Sequence, residues 1–466
     1  MNSCLLTFIS SCLTAFIFAQ TPPVEWTKAI GGIGNERTNS VETDPKGNII
    51  LVGRFQSPSI TVDQITLTKN KADNPDVADI FILKLDRNGK ALWAVTAGEK
   101  GDDHATSCVT DKKGNIYVVG WFESKTISFG TIALTKKGEK GSDMYVAKFS
   151  PKGKCLWAQS AGGNGGNGDY STISLDKDNN VVLSGMMEKD MYFGNNIHLT
   201  SEADGIYVAK YSSDGDLLWA KSPKGKGQAQ GVGTDPNGNV FVGGFFVSTI
   251  SFDGLELHST TPENGDAFVA KYAPDGNVLW AKNIGGEDGE IASCESDPFG
   301  NVYLAGLFFS KIVATEKGQL SNNGMINSFI AKYDANGKLL WIKSTGGNNG
   351  EGPATVTREF YIDDHGKAFC TGSNWSSFSF AGKTIQPVAE SEDILLLKYD
   401  QNGNELWGVD YGGSGRNAGR GITTDKKDNI FLTGSFDEKA LKIGQFTLNN
   451  AGDSDIFLVK YGRIIN

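Results

Sequence analysis

Hydrophobic and polar positions alternate along most of this chain, in short runs separated by clusters rich in Gly, Asp and Asn. Period-two alternation sends successive side chains to opposite faces and predicts β-strands. No stretch carries a convincing helical spacing of apolar residues.

The runs recur. Trp stands at 26, 93, 157, 219, 280, 341 and 407, in phrases such as VEWTKAIGG, ALWAVTAGE and LLWAKSPKG. The gaps are 67, 64, 62, 61, 61 and 66 residues, which makes seven copies of a unit of about 64. Each unit reads as four strands. Strand a is rich in small residues and ends at Asp44, Asp111, Asp176, Asp235, Asp297, Asp363 or Asp425. A turn follows whose fourth position is Gly47, Gly114, Asn179, Gly238, Gly300, Gly366 or Asp428, residue types that tolerate positive φ. Strand b (NIILVGRF, NIYVVGWF and their counterparts) carries a Gly at 53, 120, 185, 244, 306, 372 and 434. A glycine inside a strand implies close approach of a neighbour, and the Trp of an adjacent copy is the expected occupant. Strand c (DIFILKLD, DMYVAKFS) alternates and ends in a recurring Lys, and strand d carries the Trp after a second tight turn. About 20 residues with a hairpin-like phrase, such as ITVDQITLT, join b to c.

Seven four-stranded units without helices predict an all-β fold, a seven-bladed β-propeller. The ends of the repeat agree. A lone strand d lies around Trp26, while the last unit has strands a, b and c around Asp425, Gly434 and Lys460 but no d. The N-terminal strand is therefore expected to complete the last blade and close the ring, with residues 20–466 forming one propeller domain.

The phrases W-A-x-x-x-G-G, D-x-x-G-N-x-Y-V-x-G and F-V-A-K-Y-x-x-x-G run through residues 24–461 and resemble the SBBP-type β-propeller repeats of secreted bacterial proteins. The resemblance implies the fold and export. It implies no common catalytic residues.

Composition narrows the classes further. There are 59 Gly but only 13 Pro, with 39% apolar residues, which excludes collagen and argues against disorder. A net charge of −10 argues against a nucleic-acid backbone as ligand. Residues 5–19 form an apolar stretch suited to a secretory signal cleaved at Ala19–Gln20. Ile9-Ser10-Ser11-Cys12 is the lipoprotein alternative. Residues 1–19 are thus expected to be a signal peptide, with no membrane span in the mature chain and a periplasmic or extracellular location. Cys108, Cys155, Cys294 and Cys370 remain. Cys108 and Cys294 fall at the same place in units two and five, far apart around a ring, so all four are expected as thiols.

The recurring Lys84, Lys148, Lys210, Lys271, Lys332, Lys398 and Lys460 read as structural partners of the strand-a Asp residues. The Asp-rich turns lack an EF-hand pattern, so turn stabilisation outweighs calcium. The GG phrases precede no helix and are not phosphate loops. His104, His198, His258 and His365 have no metal-ligand spacing. No metal or cofactor is expected. What departs from the repeat lies where d-to-a loops meet the axis: Glu36, Arg37, Asp103, His104, Asp169, Gln228, Glu290, Arg358, Asn417 and Arg420. An ordinary solvated rim is the bland reading of these positions. The functional reading is a monomeric binding or scaffold module for a protein or glycan. The alternative is a glycosidase or lyase using rim carboxylates, which for glycoside hydrolysis needs two of them roughly 5–9.5 Å apart in a concave pocket.

Overall fold

The computed structural model describes residues 20–463 apart from 71–73, 169, 195, 261–262, 286–288, 323–324, 347–354 and 389–390. The expected signal segment 1–19 lies outside the described residues. Blade 1 consists of strands a to d at Glu36–Thr43, Ile49–Phe55, Asp79–Leu85 and Ala91–Ala97, hydrogen-bonded in that order and antiparallel. The same order recurs in every blade, and blade 4 gains a short fifth strand, Leu255–His258. Among the described residues there is no helix. The strands a of adjacent blades touch in a closed circle around the axis. Strands b and c are buried on both faces because blades stack on either side, which is why they read as nearly continuous apolar runs. The fold is a seven-bladed β-propeller.

Ring closure follows the split repeat. Val24–Ile30 pairs antiparallel with Asp455–Tyr461, Trp26 opposite Lys460, and so supplies strand d of blade 7. The b-to-c connections form the expected hairpins, for example Ser59–Val62 with Ile65–Thr68, draped beside strand d.

Each strand-a Asp organises its own turn. Asp44 Oδ1 accepts the N–H groups of Lys46 and Asn48, and Oδ2 accepts Asn48 Nδ2. The fourth turn residue is left-handed in all seven blades, including Asn179 (φ 61°) and Asp428 (φ 61°). In four blades the strand-c Lys crosses strand b to reach that Asp: Lys84–Asp44 2.8 Å, Lys210–Asp176 2.9 Å, Lys271–Asp235 3.1 Å and Lys332–Asp297 3.2 Å, whereas Lys148 reaches the Ser213 carbonyl, Lys398 lies over Phe369 and Lys460 turns to Glu25. These pairs are buried, so removing one partner costs far more than at a surface ion pair. Lys271 passes 4.8 Å over the Phe241 ring and Lys332 4.6 Å over Tyr303.

The same Lys also stitches blades together. Lys84 and Trp93 both donate to the Pro151 carbonyl in the next blade's c-to-d turn. Lys148 and Trp157 share Ser213, Lys210 and Trp219 share Pro274, Lys271 and Trp280 share Ala335, and Lys332 and Trp341 share Gln401. The turn glycine lies under the Trp ring: a methyl on Gly276 (φ 88°) would sit 3.0 Å from Trp219. At the closure seam the turn is replaced by two separate strand ends. There Lys460 pairs with Glu25 at 2.8 Å, and Trp407 Nε1 is buried without an acceptor among the described residues.

The strand-b glycine is not the Trp seat that the repeat pattern predicts. A β-bulge in strand a pushes a backbone carbonyl into its space, so a methyl on Gly53 would overlap the Arg37 carbonyl oxygen, and one on Gly120 that of His104. The four cysteines are buried free thiols, as the register requires.

Candidate functional site

The bulge that explains the glycine also builds the site. Strand a slips register in six blades, at Thr38/Ser40, Ala105/Ser107, Ala229/Gly231, Ile291/Ser293, Thr357/Glu359 and Gly419/Gly421. The residue left unpaired is Asn39, Thr106, Gln230, Ala292, Arg358 or Arg420. Asn39, Thr106, Gln230, Arg358 and Arg420 line one chamber of about 350 Å³, with Arg37, Arg54, His104, Tyr170 and Glu359. An unpaired bulge residue is re-aimed out of the sheet, here toward the axis. An adjoining chamber of about 320 Å³ shares Arg37, Arg54 and Arg420 and adds Glu392 and Arg416.

Four guanidiniums thus converge. Arg358 Nη2 lies 3.3 Å from Glu392 Oε1, and its Nε donates to Ser373 Oγ at 3.4 Å. Arg420 Nε donates to Ser435 Oγ at 3.2 Å. Arg37 Nε is buried with no hydrogen-bond partner among the described residues. Burial pushes Arg37 and Arg420 below the ordinary arginine range, and the neighbouring guanidiniums push in the same direction, with Glu392 opposing. A guanidinium keeps its proton at neutral pH, so this disfavour is a standing demand for negative charge. Ser373 Oγ also donates to Glu392, which is therefore committed to Arg358 and Ser373.

His104 packs against Trp121 with ring centroids 4.0 Å apart and the planes tilted by 35°, and its Nε2 lies 3.0 Å from Asp102 Oδ2. Burial holds its pKa down against the raising effect of Asp102, and Arg54 and Arg37 lower it further. Its imidazole is neutral at pH 7. Deeper along strand a, Glu42, Glu295 and Glu359 carry carboxyls raised chiefly by burial, Glu42 and Glu359 to about 7. Ser293 Oγ donates to Glu359 at 2.7 Å, and the Thr43 N–H donates to Glu42 at 2.8 Å.

Of the residues singled out in the sequence, Arg37, His104, Arg358 and Arg420 come together in the chamber. Glu36 and Asp103 do not. Both are fully buried inside their blades: Glu36 accepts the N–H groups of Gly32 and Ser57, and Asp103 accepts the Ser124 hydroxyl and N–H. Asn417 is buried at the equivalent position, with Nδ2 toward the Gly415 carbonyl. Gln228 Nε2 contacts Met186 Sδ at 3.1 Å. Asp169 lies outside the described residues. Glu290 opens strand a of blade 5, and its side chain is likewise outside them. The sequence reading missed Asn39, Arg54, Tyr170, Gln230 and Glu359. The usable signal was position: the bulge residue stands five before the strand-a Asp in each of the six bulged blades. Among the described residues no cluster of three or more His, Cys, Asp or Glu is arranged to hold a metal ion.

No family model matches the chain. It is 21% identical to an uncharacterised WD repeat-containing protein of Acanthamoeba polyphaga mimivirus, over 89% of this chain but only 36% of that protein. The chain therefore spans about a third of that relative's length. Solved structures similar in fold include Sqt1 from Chaetomium thermophilum (8% identity, 95% of this chain and 100% of that one, TM-score 0.45). A protein of unknown function from Dyadobacter fermentans (10%, 94% and 100%, 0.40) and an ulvan lyase bound to its oligosaccharide (10%, 93% and 96%, 0.44) are also similar. At these scores no residue role transfers. No helix among the described residues is long and apolar enough to cross a membrane.

Proposed function

We propose that this protein is a binding propeller that captures an anionic group of its partner, glycan or protein, in the axial chamber. The observation that carries this reading is the convergence of Arg37, Arg54, Arg358 and Arg420 in two adjoining chambers, where Glu392 is engaged by Arg358 and Ser373 and Asp437 by Arg416, with Glu359 and Asp453 as the other lining carboxylates among the described residues. Like charges brought together in a partly desolvated space raise the free energy of the empty site, and an oxyanion relieves it through charge-assisted, forked hydrogen bonds. The enzyme alternative relied on paired rim carboxylates. Glu36 and Asp103 are turned into their blades, the first chamber has Glu359 as its one carboxylate among the described lining residues, and in the adjoining chamber Glu392 and Asp437 are held by Arg358 and Arg416, beside Asp453. The geometry therefore favours binding over glycoside hydrolysis. We further infer export, from the apolar segment 5–19, and membership of the SBBP-type repeat proteins, from the phrases in residues 24–461.

The test is thermal unfolding of the mature chain with sulfate, phosphate or acetate at fixed ionic strength, against sodium chloride. Specific oxyanions are expected to raise the midpoint of the wild type. An Arg358→Gln/Arg420→Gln variant is expected to lose that increment. Equal midpoints in all salts would overturn the reading.

A further inference from the structure

The arginine chamber has one wall that is aromatic rather than charged. Tyr170 lines it beside Arg37, Ser171 and Thr172, and is 55% exposed. Its backbone is left-handed, with φ 58°. That region is unfavourable for a bulky side chain, so it persists only where the surroundings over-determine it. The neighbours do so. Gly168 N–H donates to the Met186 carbonyl at 3.0 Å, and Ser171 N–H donates to the Gly168 carbonyl at 3.1 Å. Thr106 Oγ1 holds the Ser171 carbonyl at 2.7 Å, and Ser171 Oγ meets the Tyr207 hydroxyl at 2.6 Å.

Blade 3 also departs from the repeat here. Its strand a is only Thr172–Leu175, and the loop before it takes the place of the bulged segment. At the same distance before the strand-a Asp, Thr38, Ala105, Ala229 and Thr357 are small or modest and buried. Among the described side chains at this position, that of blade 3 alone is a broad ring exposed at the axial opening.

We propose that the axial chamber is a subsite for a carboxylated pyranose, a uronic acid residue, whose carboxylate is held by Arg37, Arg358 and Arg420 and whose ring lies on Tyr170. This rests on the anion-binding reading above and adds the class of ligand. A guanidinium fork matches a planar carboxylate. A flat aromatic face suits the C–H face of a sugar ring; on the same wall Gln230 Oε1, buried without a hydrogen-bond partner among the described residues, can accept from a ring hydroxyl, and the Asn39 amide, whose Nδ2 donates to the Ala105 carbonyl, keeps its oxygen and second N–H. The chamber of about 350 Å³ is of small-ligand size, and the adjoining chamber leaves room for a linked residue. A free inorganic oxyanion shares the charge but not the ring, so the two sources can be told apart.

The experiment is isothermal titration of the full mature chain with methyl glucuronide, methyl glucoside, acetate and inorganic phosphate, repeated with Tyr170→Ala, Tyr170→Phe and Arg420→Gln. Methyl glucuronide is expected to bind at least about tenfold tighter than acetate or methyl glucoside. Tyr170→Ala is expected to weaken methyl glucuronide roughly five- to tenfold more than it weakens phosphate, and Tyr170→Phe to restore it. Arg420→Gln should weaken all three anions. Phosphate or acetate binding as tightly as methyl glucuronide, or an equal loss for all anions in Tyr170→Ala, overturns the sugar subsite while the anion-binding reading stands. If no anion binds the wild type, both fall.

Discussion

Glu42→Gln should stabilise the protein by an amount that grows from pH 4.5 and is complete above about pH 7. Glu42 projects from strand a of blade 1 toward the axis, where burial raises its carboxyl from 4.5 to about 7 against the lowering effect of the Thr43 N–H and Thr423 hydroxyl. Below pH 4.5 the group is protonated in both folded and unfolded chains and contributes nothing. Between 4.5 and 7 the unfolded chain ionises first, so stability falls as pH rises. Above 7 the penalty is complete. At ~1.4 kcal/mol per pH unit it would reach about 3 kcal/mol. Glu42 is only half-buried, and water in the axial opening screens part of this, which leaves about 1–2 kcal/mol. Glutamine keeps the shape and the acceptor for Thr43 N–H. Denaturant unfolding of both proteins at pH 4 and pH 8 is the assay. A gain of about 1–2 kcal/mol at pH 8 and none at pH 4 is expected. Equal gains at both pH values, or destabilisation at pH 8, would refute the argument.

Three further outcomes follow from the same structure. Gly276→Ala, at φ 88° with the Trp219 ring in the way, should lower stability by about 1–3 kcal/mol in denaturant unfolding, whereas alanine at Gly130 (φ 67°), where nothing lies within 4 Å, should cost only the backbone strain. Lys210→Met strands the buried Asp176 carboxylate and should cost about 3 kcal/mol or more, with much of the loss recovered in the Lys210→Met/Asp176→Asn double variant in a mutant cycle. Affinity for any anion in the axial chamber should rise several-fold between pH 8 and pH 6 in titration calorimetry at constant ionic strength, because Glu359 and Glu42, both near 7, take up protons and leave the arginines less neutralised; a pH-independent affinity would place these carboxyls outside the field of the site.

The fold was legible because its determinants repeat in every unit. Trp93, Lys84, Asp44 and the turn glycines serve contacts that each blade must make, so comparing the units with one another exposes them. The split of the repeat around Trp26 and Lys460 likewise announced the closure. The site was legible only in part, because a bulge interrupts the period-two alternation of strand a. Counting alternately from the rim picks Glu36 and Asp103 together with their neighbours. The bulge shifts the phase, so that Arg37 and His104 face the axis, while Glu36 and Asp103 turn inward to hold loop N–H groups. Arg54 was hidden in the apolar phrase NIILVGRF, where it follows the glycine of a buried strand. Tyr170 depends on a left-handed backbone that no local propensity favours for tyrosine.

The most direct test of the arginine site is an anomalous difference map from crystals of residues 20–466 soaked in selenate. The account predicts a selenium peak on the propeller axis within hydrogen-bonding distance of Arg37 Nε and the guanidiniums of Arg358 and Arg420. Peaks confined to the outer surface, with the axial chamber empty at saturating selenate, would contradict it.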